Sequence, residues 1–302
     1  MAANGPFLAL CKHGRYVPVS VALGEAGLAP VPDSMLGVLD GGSAVWDTLR
    51  SLDEALDVGA IGAMAVAHPH VLAPIPTPRK NVMCVGRNYA DHAAELGADA
   101  PIDPVFFTKA PTTVIGPDAV VPYPPRSAEL DYEGELALVI GRQGVDIAPE
   151  HALSHVFGVT ILNDISARDV QYRHIQWFKG KSFDGTCPTG PVIVTLDEVG
   201  DLRSLRVQTY VNGELRQDQP VSDMIFDVPS IIATLSTGMT LEPGDIIATG
   251  TPAGVGAPDR RFLVPGDRVD VRIDGLGVLC STIGARRGVP DVNVERHTED
   301  VG

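Results

Sequence analysis

The chain has 302 residues, of which 44% are apolar and 20% are charged, so it can bury a sizeable core and is neither a disordered tail nor a highly charged scaffold. Its net charge of −15 argues against bulk recognition of DNA or RNA, which requires a basic face. The 32 glycines and 25 prolines exceed average usage and indicate a chain rich in turns and strands.

The first 75 residues differ in pattern from the rest and predict a small N-terminal α+β domain. Two short strand-like segments, 7–10 and 16–23, precede an amphipathic helix over 44–56. The apolar face of that helix consists of Val45, Leu49, Leu52 and Leu56. The segment 68–78 holds four prolines and is predicted to be an extended linker, which places the domain boundary at residue 75.

Cysteine and histidine spacing in this chain predicts no zinc site. The cysteines are far apart and are expected to be small buried apolar side chains in a reducing compartment; they are Cys11, Cys84, Cys187 and Cys280. His68 and His70 have no third ligand nearby and are expected to be solvated in the linker.

Targeting and membrane segments are not expected from the sequence. The apolar run over 6–11 is too short for the core of a signal peptide and follows no basic segment. No run approaches the roughly 20 apolar residues of a membrane helix. We therefore expect a cytoplasmic protein with no membrane and no nucleic-acid partner.

From Asn81 onward the pattern alternates between strands and turns, over a predicted catalytic domain of residues 76–287. Strand-like runs occupy 81–85, 104–108, 135–141, 156–162, 191–195 and 245–250. Two hairpins are predicted, one with Asn212-Gly213 at its turn and one bent back at Asp274-Gly275.

Helical segments are few in this region. A short helix is expected over 89–96, the segment 166–178 is ambiguous, and a helix over 228–237 has Asp227 as its N-cap. Residues 288–302 are polar and are predicted to form a frayed C-terminal tail.

Three carboxylates predict a metal site. Glu133 and Glu135 are two residues apart in a strand pattern, so they share a face about 6–7 Å apart and repel each other unless a positive group lies between them. A solvent-facing strand end is the alternative. Asp164 ends a separate apolar strand, and three oxygen ligands without His or Cys favour Mg²⁺ or Mn²⁺, with Ca²⁺ as a further option. Their charge of −3 against +2 would leave −1.

Two further groups can carry chemistry. His92 and Glu95 are neighbours if 89–96 is helical, and an imidazole oriented by a carboxylate can act as a general base, although such pairs are common on surface helices. Lys181 lies in a Gly/Pro-rich apolar stretch and can point inward as a fixed cation for an oxyanion, or lie on the surface. The segment 249–256 lacks the spacing of a phosphate-binding loop, so no nucleotide site is expected.

Seven motifs, in order over about 80–285, resemble the fumarylacetoacetate hydrolase family. They are GRNYADHAAELG (86–97), FFTKAPTT (106–113), DYEGELALVIG (131–141), NDISARDVQ (163–171), KSFDGTCPTGP (181–191), VNGELRQ (211–217) and DIIATGTPAGVG (245–256). The resemblance implies a β-rich α+β fold, a β-roll or distorted β-sandwich with few short helices, and a homodimer.

The resemblance also implies a role for each matched position. The metal, Mg²⁺ or Mn²⁺, would be bound by Glu133, Glu135 and Asp164. The catalytic residues would be the water-activating pair His92 and Glu95, together with Lys181, which stabilises anionic intermediates. Substrate contacts would come from Gln171 and Thr251, and from Arg87 and Lys109.

The activity that the resemblance implies is hydrolysis of a C–C bond in a diketo acid, an acylpyruvate or fumarylpyruvate, through an enolate held at the metal. Two alternatives use the same site: decarboxylation of oxaloacetate or another 2-oxo acid, and isomerisation of a 2-hydroxy-diene-dioate. A non-catalytic, metal-bearing structural dimer is a third, against which the retention of His92, Glu95 and Lys181 argues, because a scaffold needs none of them.

Overall fold

The computed structural model describes residues 5–286, in which strands outnumber helices and the helices are mostly short. The strands are β1 (Ala9–Lys12), β2 (Arg15–Pro18), β3 (Val82–Gly86), β4 (Val105–Lys109), β5 (Val114–Ile115), β6 (Ala119–Tyr123), β7 (Leu130–Asp131), β8 (Gly134–Ile140), β9 (Val156–Asn163), β10 (Ser166–Ala167), β11 (Cys187–Thr195), β12 (Arg206–Val211), β13 (Glu214–Pro220), β14 (Ile246–Ala248), β15 (Arg268–Ile273) and β16 (Gly277–Arg286). The α-helices are α1 (Val19–Ala26), α2 (Met35–Ala55), α3 (Val58–Met64), α4 (Ala90–Glu95), α5 (Arg168–Arg173), α6 (Phe178–Lys181), α7 (Leu196–Val199) and α8 (Val228–Ser236).

Two sheets build the part of the molecule that carries the site. A seven-stranded sheet has the order β4-β3-β14-β8-β9-β11-β5, and a five-stranded sheet has the order β13-β12-β15-β16-β6. Most neighbouring strands are antiparallel, including β8 against both β9 and β14. Two packed, mainly antiparallel sheets with few short helices confirm the predicted β-rich class of fold.

The central strand β8 is buried along its whole length because the sheet is covered on both faces. Leu136 and Leu138 pack in the main core, which also contains Val207 and Val271 of the five-stranded sheet. The alternate residues of β8 face a second apolar cluster that includes Leu39 of α2. Both faces of β8 are therefore apolar beyond its first residues, and the acidic side chains gather at one end of the strand.

The N-terminal segment has a core of its own and also reaches the seven-stranded sheet. Val17, Leu52 and Ile61 belong to its apolar cluster, whereas Trp46 of α2 packs edge-on against Phe157 of β9 with ring centroids 5.1 Å apart. The linker contributes Ile75 to the cluster beneath the sheet. A domain boundary at residue 75, with a second domain over 76–287, stays a prediction.

One of the two predictions for this segment is wrong. The strand predicted over 16–23 ends at Pro18, and α1 follows because its buried positions, Val19, Ala22 and Leu23, have helical rather than alternating spacing. The helix predicted over 44–56 matches the second part of α2, because Gly42, with φ of +60°, interrupts the helical conformation. The first part of α2 was not predicted and begins at Met35, where the Ser34 side chain accepts a hydrogen bond from Gly37 N–H.

In the rest of the chain the predicted strands lie close to the observed ones, and Asp227 caps α8 by accepting from Ser230 N–H. The ambiguous segment 166–178 separates into the short strand β10 and the helices α5 and α6. Burial of every cysteine was a wrong expectation, since Cys11 is exposed and Cys280 only partly buried. The predicted tail 288–302 lies outside the described residues. Between residues 5 and 286, no helix has the length and apolarity needed to span a bilayer.

Candidate active site

The register of two strands brings the three predicted carboxylates together. Gly134 of β8 lies opposite Asn163 of β9, so Glu133 and Asp164 adjoin at the ends of neighbouring strands. The Asp164 N–H donates to the Glu133 carbonyl at 2.8 Å, and the Glu133 N–H donates to Asn163 Oδ1 at 3.0 Å. The carboxylates of Glu133, Glu135 and Asp164 are buried and offer oxygens within 4.8 Å of one another.

Cationic side chains of the chain itself lie against these acids. Lys181 Nζ is 2.7 Å from both Glu133 Oε2 and Asp164 Oδ2. Lys109 Nζ is 2.7 Å from Asp164 Oδ1, and Arg168 Nη1 is 2.7 Å from Glu133 Oε1. Three acids thus face three cations, which revises the count of −3 taken from the sequence. A bound divalent cation would leave the centre positive rather than negative.

Charge and burial set different protonation tendencies for the two glutamates. Burial alone would raise the pKa of Glu133, but the positive charges of Lys181 and Arg168 outweigh it and hold that pKa well below the usual range. Burial raises the pKa of Glu135 well above its usual value, and the charges of Asp164 and Glu133 raise it further. Of the two glutamates, Glu135 is therefore the one whose charged form an added cation would stabilise more.

The same carboxylates keep Lys181 charged. Burial alone would lower the pKa of Lys181, but the negative charges of Asp164 and Glu133 raise it to about 12. The ammonium group is a fixed positive charge at neutral pH and cannot act there as a base.

The donor set fits a hard divalent cation. It consists of three carboxylates without sulfur or imidazole, as Mg²⁺ and Mn²⁺ prefer. Asp164 Oδ1 is buried and accepts no hydrogen bond in the described residues, because Lys109 approaches it without hydrogen-bond geometry and instead donates to the Ile165 carbonyl at 3.0 Å. An oxygen with free lone pairs inside a charged cluster is suited to a metal.

The histidine–glutamate pair lies on α4 and faces the same cavity. His92 is buried, and its Nδ1 is 2.7 Å from Glu95 Oε1. The other oxygen of Glu95 accepts from Gly254 N–H at 2.8 Å, which fixes the carboxylate. With Nδ1 engaged, Nε2 is the ring atom left to exchange protons with a ligand.

Asn88 anchors the chain just before this helix. Its side-chain amide donates to the carbonyls of Thr249 and Phe226 at 2.8 and 3.0 Å, and its Oδ1 accepts from the Phe226 N–H. These bonds connect the start of α4 to two distant segments, so the position of His92 depends on tertiary contacts rather than on the short helix alone.

A cavity of about 140 Å³ joins these groups. Seven of the ten predicted site residues line it: Arg87, His92, Glu133, Glu135, Gln171, Lys181 and Thr251. The other three do not line the cavity but contact residues of the site. Glu95 contacts His92, Asp164 contacts Lys181, and Lys109 contacts Asp164. The structure therefore brings all ten predicted residues to one site.

A glycine-rich loop, residues 249–256, donates backbone hydrogen bonds to acidic side chains of the site. The N–H groups of Gly250, Gly254 and Gly256 donate to Glu135, Glu95 and Asp131 respectively, at 2.7–2.8 Å. Gly254 has φ of +105°, and a Cβ there would lie 1.9 Å from the Arg216 carbonyl oxygen. Sequence analysis did not predict this role for the loop.

Arg168, Asp131 and Gln217 are site residues that sequence analysis did not single out. Arg168 donates through Nε to Asp131 at 2.9 Å and through Nη1 to Gln171 Oε1 at 3.1 Å. Gln217 accepts from Gly134 N–H at 3.0 Å and donates to Thr251 Oγ1 at 2.8 Å, so it joins β8 to the glycine-rich loop. The i, i+3 spacing of Arg168 and Gln171 was the available signal.

Replacing Arg168 by methionine is expected to lower the free energy of unfolding by about 3–5 kcal/mol, because it leaves Asp131 buried without its positive partner and leaves Glu133 with Lys181 alone. Urea denaturation followed by circular dichroism measures this change. Arg168→Met combined with Asp131→Asn should recover part of the loss.

The control is Arg260→Met, which removes an exposed ion pair with Glu129 and should change stability by less than about 1 kcal/mol. An Arg168→Met protein as stable as the Arg260→Met protein would contradict the view that Arg168 neutralises buried acids.

Known proteins resemble this chain in sequence and in fold. Residues 81–284 match the family model of the fumarylacetoacetate (FAA) hydrolase C-terminal domain. The chain is 55% identical over 217 residues to oxaloacetate tautomerase YisK of Bacillus subtilis, covering 70% of this chain and 72% of the relative. The solved fumarylacetoacetate hydrolase of Exiguobacterium antarcticum is 42% identical with a TM-score of 0.76, covering 93% of this chain and 95% of that one.

A third similar protein is the fumarylpyruvate hydrolase of Pseudomonas aeruginosa, solved in complex with Mn²⁺ and pyruvate. It is 36% identical with a TM-score of 0.64, covering 70% of this chain and 91% of that one. The family match, the relatives and the shared fold define an enzyme of the fumarylacetoacetate hydrolase superfamily. The chain belongs to the fumarylacetoacetate hydrolase family, as its seven motifs predicted.

Proposed function

We propose that this chain interconverts the keto and enol forms of oxaloacetate, with Mg²⁺ or Mn²⁺ held by Glu133, Glu135 and Asp164. One observation carries the proposal: His92, oriented by Glu95, faces the cluster of acids and cations across a single small cavity. A proton donor–acceptor beside a positive centre is what keto–enol exchange requires. The name of the B. subtilis relative supports oxaloacetate as the substrate.

The side chains divide the work. His92 Nε2 takes the proton from carbon 3 of the keto form and delivers it to the 2-oxygen to give the enol, and the reverse direction runs the same two transfers backwards. Glu95 holds the ring through Nδ1. Glu133, Glu135 and Asp164 would hold the divalent cation, which would supply Lewis acidity to the 2-oxo acid. Lys181 keeps positive charge beside the acids, and Gln171, whose Oε1 accepts from Arg168, presents its Nε2 as a donor to the ligand oxygens.

Hydrolysis of a C–C bond in a diketo acid is the second candidate. The His92–Glu95 pair favours hydrolysis, since His92 can take a proton from a water molecule as that water attacks a carbonyl carbon. The fumarylpyruvate hydrolase of P. aeruginosa supports it by name. Decarboxylation of oxaloacetate and isomerisation of a diene-dioate are further alternatives at the same site. Neither needs an attacking water, and one assay distinguishes them from hydrolysis.

The assay follows the ultraviolet absorbance of enol oxaloacetate as it relaxes to the keto form, with Mg²⁺, with Mn²⁺ or with a chelator. Parallel samples measure CO₂ release and the acid formed from an acylpyruvate. We expect metal-dependent loss of enol without CO₂. Faster hydrolysis of acylpyruvate than enol loss would contradict the tautomerase proposal in favour of the hydrolase, and CO₂ release in step with enol loss would favour the decarboxylase.

From the family resemblance we also propose that the active protein is a homodimer acting on a small 2-oxo acid. Light scattering of the purified protein measures its mass directly. A monomeric mass at the concentrations used in the assay would contradict the dimer.

A further inference from the structure

Arg87 differs from the other cations of the cavity in having no acidic partner. Three cations line the cavity, and both Lys181 and Arg168 are paired with buried carboxylates. For Arg87 there is no ion pair and no side-chain hydrogen bond to any residue between 5 and 286. Its guanidinium lies instead over the ring of Trp177, 5.4 Å from the centroid. A half-buried arginine in this state has its N–H donors available for a ligand.

Packing against the sheet fixes the Trp177 ring on which the Arg87 guanidinium lies. Trp177 packs directly on Gly86, where a Cβ would lie 2.5 Å from the indole ring. The indole also meets the ring of Phe107 edge-on, with centroids 5.3 Å apart. Only a glycine at position 86 lets the indole lie this close to β3, so three residues from three segments of the chain fix the surface on which the guanidinium rests.

The backbone of Arg87 is also held in an unusual conformation. Its φ of +56° is in the left-handed region, which is costly for a residue with a side chain and persists where surrounding contacts impose it. The next residue, Asn88, supplies those contacts through its bonds to Thr249 and Phe226. The turn directs Arg87 into the cavity five residues before His92.

We propose that Arg87, supported by Trp177, binds the carboxylate of the substrate that is distal to the 2-oxo acid group, and so selects dicarboxylic 2-oxo acids. The proposal rests on the proposed function, in which the carboxylate trio and its cation take the 2-oxo acid end. Stacking on an aromatic face satisfies the arginine without using its N–H donors, which can form a bidentate pair with a carboxylate. Trp177 is then a positioning residue that acts through Arg87.

The test compares oxaloacetate with its 4-methyl ester, which keeps the 2-oxo acid and loses the distal charge. For Arg87→Met, the ratio of kcat/KM for oxaloacetate to that for the ester should fall about 10- to 100-fold, as expected for loss of a charged hydrogen bond. The matched control Arg203→Met removes an exposed arginine that does not line the cavity and should leave the ratio unchanged.

Substitutions at Trp177 test its positioning role separately. Trp177→Leu should raise KM for oxaloacetate about 3- to 10-fold, more than it lowers kcat, and Trp177→Phe should recover most of the loss because it keeps an aromatic face. Equal effects of leucine and phenylalanine would show that the indole does not act through Arg87 and would overturn the positioning role.

Calorimetric binding of both ligands to the Mn²⁺-loaded protein separates this proposal from the proposed function. A wild-type protein that binds oxaloacetate more tightly than the ester, with the preference lost in Arg87→Met, supports the role of Arg87 even if no enol is consumed. Equal losses for both ligands in Arg87→Met overturn that role, whether or not the wild-type enzyme is a tautomerase.

Discussion

Replacing His92 by asparagine is expected to lower kcat for oxaloacetate tautomerisation by about 10²- to 10⁴-fold, the usual contribution of a positioned general base. The asparagine amide can still donate to Glu95, so the helix and the Glu95 carboxylate should keep their places. Stopped-flow absorbance of the enol measures the change. His92 is not one of the three proposed metal ligands, so the Mn²⁺ affinity of His92→Asn should equal that of the wild type.

A matched control is His155→Asn, since His155 lies outside the cavity and bonds to the Arg142 carbonyl. It should leave kcat unchanged. Turnover of His92→Asn within tenfold of the wild type would show that another group moves the proton and would refute the base assignment.

Glu135→Gln is expected to weaken Mn²⁺ binding by at least about 100-fold and to abolish activity at ordinary metal concentrations. The loss should exceed the 10- to 100-fold cost typical of residues that only support metal ligands. Glutamine keeps the volume and can accept from Gly250 N–H as the carboxylate does. Calorimetric titration with Mn²⁺ measures the affinity.

Stability separates this effect from misfolding. Without added metal, Glu135→Gln should be as stable as the wild type or more so. The substitution removes the Glu135 charge, which the negative charges of Asp164 and Glu133 disfavour. The gain in melting temperature on adding Mn²⁺ should shrink accordingly. Glu242→Gln, a change on the surface, is the control. Unaltered Mn²⁺ affinity in Glu135→Gln would remove Glu135 from the metal site.

The local field resolves an apparent conflict between a chain of charge −15 and an anionic substrate. Surface charges beyond about 8 Å are largely screened at physiological ionic strength. Inside the cavity, Lys181, Arg168 and Arg87 offset the acids, and a divalent cation would add further positive charge. Attraction of the 2-oxo dicarboxylate proposed as substrate would depend on this local balance rather than on the net charge.

The sequence by itself predicted the carboxylate trio and the histidine–glutamate pair. The two-residue spacing of Glu133 and Glu135 and the polar end of the strand before Asp164 predicted a carboxylate trio, because strand alternation is a local property of the backbone. The helical spacing of His92 and Glu95 predicted their pair, at 2.7 Å in the structure. Motif resemblance then indicated the family and the fold.

Only the tertiary structure decided what neutralises the acids. Lys109, Arg168 and Lys181 are far from Glu133 and Glu135 in sequence, and no local pattern shows that a lysine will be buried against a carboxylate rather than solvated. The same holds for the glycine-rich loop, whose N–H groups reach acids more than 100 residues away. Charge compensation in a buried site is a property of packing, since Coulomb energy depends on distance in space and on excluded water, neither of which a linear sequence specifies.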